Sequence, residues 1–227
     1  MIKLGIDQDA VVKMFAEASA QQGEVLRKFV NDVMLKALQG RELTLANVRS
    51  ALETVTQAAS TGAAKNALPA ADLRGLLAKA FAGMDAALLQ AVQAHRTALQ
   101  QFVDQGAALQ EPQMKDALAN IEKMEDVFFT TVSKTAQDTE GALRAAWEQV
   151  LTAMKDKGTA TGAQAAASVE QLMTQAQAAL RAGRSAGLRS AQAMMENYAT
   201  LVSGVLIGMS QTLGAGREGG GTGQDKK

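Results

Sequence analysis

This sequence predicts an all-α fold of long antiparallel amphipathic helices, in an elongated bundle or a coiled-coil-like arrangement. Three observations carry that expectation. Alanine makes up roughly a fifth of the chain against a usual share of under a tenth, and leucine, glutamine, methionine, lysine and glutamate also favour helix. Aromatic residues amount to only 4%, and the two prolines, Pro69 and Pro112, stand far apart. β-Branched residues are sparse, and no segment shows the alternation of a half-buried strand. With 227 residues the chain can bury one sizeable core.

The expected division is a helical hairpin over residues 1–62, a long-helix bundle over 63–214, and a disordered glycine-rich tail over 215–227. The first helix starts after Asp7 or Asp9, either of which can cap free backbone N–H groups. Val11, Phe15, Ala18, Val25, Phe29, Val33 and Leu38 keep to one side of it, with a polar gap at Gln21 and Gln22, and Gly40 follows as a C-terminal cap. A second helix begins at Thr44, carries Leu45, Val48, Leu52 and Val55, and ends near Ser60 to Gly62. The segment from Thr61 to Ala67 reads as a loop.

Pro69 stands where proline is tolerated, at a helix start, with Asp72 in the first turn. Leu73, Leu77, Phe81, Met84, Leu88, Val92, His95, Leu99 and Phe102 then follow at intervals of three or four, and Gly106 is the expected stop. Pro112 repeats the signal ahead of Met114, Leu118, Ile121, Glu125, Phe128 and Val132. A polar stretch from Ser133 to Gly141 separates these from Leu143, Trp147, Val150 and Met154, so one helix to about Lys157 and two helices both fit. Gly158 to Gly162 is the next break. The last arm runs from about Gln164 to beyond Leu213, either unbroken or joined near Gly183, with Val169, Met173, Ala176, Leu180, Gly183, Gly187, Met194, Tyr198, Leu201, Val205 and Gly208 along its seam.

The formal charge is zero, with 23 basic and 23 acidic side chains. A nucleic-acid partner is not expected, because such binders carry a basic excess to displace counterions. Without cysteine there is no disulfide framework and no thiolate chemistry. Asp7 and Asp9 interrupt any apolar run near the N-terminus, so no signal peptide is expected and cytoplasmic residence is the default reading. One histidine and no cysteine leave nothing to build a Cys–His or histidine-rich metal site. Val92, three positions before His95, removes the Glu-x-x-His pair of di-iron bundles. His95 reads as a partly buried interface residue rather than a catalytic base. Glu122, Glu125 and Asp126 read as a solvated acidic patch rather than a cation site, and Gly219 to Gly221 lack the Lys-Ser/Thr of a phosphate loop. The expectation is therefore a non-enzyme with no cofactor and no metal.

The C-terminal arm carries the functional signal. No acidic residue falls between Glu170 and Glu196, while Arg181, Arg184 and Arg189 are all present. This cationic stretch leads into residues 197–216, which hold no charge and match the roughly 20 residues of a membrane span. The strongly apolar centre of that run is shorter, Leu201 to Met209, and polar residues flank it closely. Gly183 with Gly187, and Gly204 with Gly208, have the four-residue spacing that lets a second backbone approach. The candidate contact residues for a surface or partner are Arg181, Arg184, Arg189, Leu201, Val202, Gly204, Val205, Leu206, Gly208 and Met209.

Stretches such as FAGMDAALLQAVQAHRTALQQF and WEQVLTAMKDKG resemble the phasins, helical coat proteins of bacterial polyhydroxyalkanoate granules. RELTLANVRSAL, IEKMEDVFF and KGTATGAQAAASVEQLM are similar to a further group of proteobacterial helical proteins with no known activity. The phasin resemblance implies amphipathic helices laid on a hydrophobic polymer or lipid surface, with homo-oligomers in solution and residence at a granule or membrane surface. Two other readings stand beside it. One is a self-associating scaffold whose stripes are satisfied by other helices, and the other is a membrane-inserting protein that uses Leu201 to Met209.

Overall fold

The computed structural model describes residues 6–39, 43–104, 112–181 and 198–215, and every element in them is helical, with no strand among the described residues. The fold is all-α. Helix α1 (Gln8–Glu17) opens at Asp7, whose Oδ1 accepts a hydrogen bond from the Ala10 N–H at 3.0 Å. The single helix expected through Leu38 is broken. Ala18 turns extended, one 3-10 turn spans Ala20–Gln22, and α2 (Gly23–Gln39) follows. The polar gap causes the break: Gln22 Oε1 accepts from the Ser19 N–H at 3.0 Å, half of a capping box that closes a new helix start.

Helix α3 (Leu45–Lys65) begins where the sequence places it, with Thr44 Oγ1 accepting from the Asn47 N–H at 3.2 Å. It does not end at Gly62. That residue is helical and lies against α1, so close that an added Cβ would collide with the Val12 carbonyl oxygen. Asn66 closes α3, and its side-chain amide donates to the carbonyls of Phe15 (2.8 Å) and Ala18 (2.9 Å), which α1 leaves open at its end.

Helix α4 (Ala70–Asp104) is the centre of the bundle. Every residue of the stripe from Leu73 to Phe102 is buried. Helix α3 runs antiparallel to it, Thr56 lying against Met84. Helix α2 meets α4 at Gly83, where an added Cβ would come within 2.6 Å of the Arg27 carbonyl oxygen. Beyond α4 the chain forms α5 (Pro112–Glu122), α6 (Met124–Gln137) and α7 (Gly141–Lys157). The α5–α6 junction is slight, since Lys123 and Val127 keep helical bonds to Ala119 and Lys123. The polar stretch makes the larger break, with Gly141 at φ +58° after it.

Gly158, at φ +73°, ends α7 and leads into α8 (Ala160–Arg181), and α9 (Tyr198–Ala215) is the last element. Gly40, Gly106, Gly183, Gly187, Arg184, Arg189 and the tail after 215 lie outside the described residues. Apolar side chains of α1 to α3 and of the later helices join one contiguous core, so the N-terminal hairpin and the long helices share an interior. Its aromatic centre is Phe81 on Phe128, with centroids 4.3 Å apart. Beside it the buried Trp147 Nε1–H donates to Ser60 Oγ at 2.9 Å.

Candidate functional site

The uncharged C-terminal run forms α9, and α9 packs on α4 and α2. Val202 and Leu206, four apart, are fully buried, while Leu201, Val205 and Met209 are half-buried against the same core. Thr200, Gly204 and Gly208 are exposed, and Ile207 is 36% exposed. Among the described residues the glycine pair makes no close approach to another helix, and nothing comes within 4 Å of a Cβ built at Gly204 or Gly208. The seam is made instead by Tyr198, Val202 and Leu206, because the bulky residues fall on the side facing α4. Of the arginines, Arg181 ends α8, and Arg184 and Arg189 are outside the described residues.

At its first residue α9 is fixed by a polar contact that sequence reasoning missed. The Tyr198 hydroxyl lies 2.8 Å from His95 Nδ1, and the Tyr198 ring stands 5.8 Å from that of His95 and 5.9 Å from that of Phe102. His95 is only 2% exposed, so it is a buried residue of the chain's own core rather than a partly open interface residue. Burial pushes its pKa down to about 4, against a smaller opposing effect of the Leu43 backbone. Burial also raises the Tyr198 hydroxyl well above its usual range. Both groups are neutral near pH 7, and the pair is a satisfied buried hydrogen bond between the ends of two long helices. Their places on predicted stripes were the only signal, since nothing in sequence spacing pairs positions 95 and 198.

A second polar cluster fixes α8. Its N-terminal N–H groups need acceptors, and two other helices supply them. From α4, the Asp85 carboxylate accepts from the N–H groups of Ala160 and Thr161 (both 3.0 Å) and from Thr161 Oγ1 (2.6 Å). From α6, Glu125 Oε1 accepts from the Thr159 N–H at 3.3 Å and from Thr159 Oγ1 at 2.5 Å, while Thr159 Oγ1 accepts from the Gly162 N–H at 2.9 Å. Glu125 is thus a capping group and not part of a solvated patch, whereas Glu122 and Asp126 are exposed. Position 162 suits glycine because a Cβ there would collide with the Glu125 carboxylate.

Open clefts also lie on the surface of the described residues. One, of about 490 Å³, lies between α3, α6 and α7 and is lined by Glu53, Ser60, Lys134, Asp138 and Glu140 among others. Another, of about 590 Å³, runs along α8 past Glu122, Glu125, Val169, Glu170 and Met173. Neither contains His95, and among the described residues no group of three or more acidic or histidine side chains could hold a metal ion. Among the described residues one helix is long and apolar enough to cross a membrane by length and composition, α4 over Asp72–Asp104, and more than half of its apolar window is buried in the bundle. In α9 the apolar part is the shorter Thr200–Met209.

No curated protein and no solved structure matches the chain. The profile of one family, described as a family of unknown function, covers residues 1–215, so the chain belongs to the DUF6781 family.

Proposed function

We propose that this protein is a non-enzymatic, phasin-like coat that lies on a hydrophobic surface, such as a polyhydroxyalkanoate granule, with α9 as its contact element. One observation carries the reading: α9 is uncharged on every side, yet among its described side chains only Val202 and Leu206 are fully buried, while Ile207 is 36% exposed and Thr200, Gly204 and Gly208 are exposed. A helix that is apolar all round is normally covered all round. The opposite side, with Thr200, Gly204 and Gly208, is open to an apolar surface. Leaving apolar area in water costs about 25 cal/mol per Å². Arg181, Arg184 and Arg189 precede α9 and would add attraction where that surface is anionic.

The test is co-sedimentation of the full chain with polyhydroxybutyrate particles and with lipid vesicles. Gly208→Asp puts a charge on the open side without a clash, because a Cβ there meets nothing among the described residues. Binding is expected to fall at least tenfold in that variant while the helical melting curve stays in place. Absence of binding by the unaltered chain to either surface would sink the coat reading. The scaffold reading is favoured by the same open side, since Gly204 and Gly208 would let a second copy of α9 come close. In that case Gly208→Asp shifts the sedimentation velocity of the free protein and leaves particle binding at background.

A further inference from the structure

We propose that the His95–Tyr198 contact is an acid-opened latch, which holds α9 on α4 and releases it ahead of the rest of the bundle when the imidazole takes a proton. This concerns how α9 is held, whatever α9 later touches. The geometry sets the chemistry. A neutral imidazole offers one N–H and one bare nitrogen, so the Tyr198 hydroxyl at 2.8 Å finds a complementary partner at Nδ1 in either tautomer. A protonated ring donates from both nitrogens. Nδ1 can then no longer accept, and the hydroxyl is left with the accepting role alone at that contact.

Among the described residues no carboxylate pairs with the new charge. From α9 the group that faces His95 is Tyr198, and α9 carries no charged residue. Helix α8 has none between Glu170 and Arg181. On the C-terminal half of α2, Asp32 and Lys36 are exposed, and on α4 the neighbouring charge is the cation of Arg96. The Leu43 backbone favours the protonated ring, but burial outweighs it. Such a charge at a 2% exposed position is relieved by exposing the ring, and undocking α9 removes the tyrosine that covers it. Among the described residues α9 packs chiefly on two neighbours and drives Val202 and Leu206 fully into the core, which makes it the element to yield.

The chain has one histidine and one tyrosine, so both signals are unambiguous by NMR. The imidazole resonance of the intact protein, free of any surface, is followed from about pH 7 to about pH 3.5, together with amide exchange in α9 corrected for the intrinsic pH effect. The ring is expected to titrate near pH 4 rather than at its ordinary 6.5. Proton linkage then makes opening of α9 about 20-fold more favourable at about pH 4.5 than at about pH 6. Protection in α2, α3 and α4 is expected to persist. His95→Gln keeps a hydrogen-bonding side chain without a titrating ring and should flatten the α9 response. Tyr198→Phe keeps the ring packing and should raise opening at every pH while retaining the slope. A midpoint near the ordinary 6.5, an α9 response unchanged in His95→Gln, or loss of protection in all helices together would each overturn the latch.

Discussion

Gly83 lies where α2 crosses α4, and a methyl group there would meet the Arg27 carbonyl oxygen at 2.6 Å and Val30 Cβ at 2.8 Å. Backbone cannot give way as a flexible side chain can, so Gly83→Ala should cost about 1–3 kcal/mol of unfolding free energy in urea. Gly75 and Gly204 are helical too, with nothing within 4 Å among the described residues. Alanine at either should stabilise by up to about 1 kcal/mol through helix propensity alone. The sequence shows all three as glycines inside helical stripes, and only the neighbouring helix distinguishes them. His95 adds a pH dependence of its own. Its folded pKa of about 4 lies below the ordinary 6.5, so between those values the unfolded chain binds the extra proton. Stability is therefore complete above about pH 6.5, falls as pH drops, and levels out below about pH 4. The loss should reach about 3 kcal/mol in urea melts and be absent in His95→Gln. Glu24 behaves in the opposite sense at the surface. Lys79 and then Arg27 hold its carboxylate down to about 2, so that contribution exists above the ordinary carboxylate pKa and is lost only as pH falls toward 2. Being fully exposed, it is screened by salt.

At the scale of elements, periodicity places the buried stripe of α4 correctly but misplaces those of α2 and α8. Leu26, Val30 and Met34 are buried where Val25, Phe29 and Val33 are expected, with Val25 57% exposed, and Leu172 is buried in place of the 50% exposed Met173. The whole stripe of α4, a first-helix start at Asp7 or Asp9 and a second at Thr44 were legible because they depend on residues close together in the chain. The extension of α3 to Lys65 was not, since it rests on α1 packing against Gly62. Nor was the start or the anchoring of α8. The sequence places a break from Gly158 to Gly162 and a helix from about Gln164, whereas α8 starts at Ala160 because Asp85 and Glu125, distant in the chain, supply its acceptors. Asp85→Ala tests that anchoring. It removes the acceptor of two backbone N–H groups and a hydroxyl, and should cost about 2–4 kcal/mol. Exchange protection should fall first in α8, with α1 to α3 unaffected. Loss spread evenly over all helices would mean that Asp85 does not act through α8.

At the scale of the whole molecule, the proposed contact with a surface would draw on the same helix that the bundle holds through Val202 and Leu206. Leu206→Ala leaves a void under α9 without adding charge, and a buried leucine truncation costs about 2–5 kcal/mol. If α9 is the contact element, that variant should be less stable in urea yet bind polymer particles faster, as stopped-flow light scattering would show. Gly208→Asp should do the reverse, slowing binding with stability unchanged. The uncharged run in the sequence made α9 legible as a special segment; its attachment to α4 through one tyrosine and one histidine was not, because 103 positions separate them.

The double anchoring of α8 also has a consequence for synthesis. Asp85 and Glu125 both precede Thr159 in the chain, so they leave the ribosome before the helix end that they receive. The N-terminal part of a growing chain begins to organise first. If α4 and α6 have formed by the time residues 159 to 162 emerge, α8 closes onto carboxylates that are already in place. A circular permutant that makes α8 before α4 would have to hold those N–H groups in water until their acceptors arrived. Such a chain should refold from urea to the same end state as the natural order but lose yield when translated.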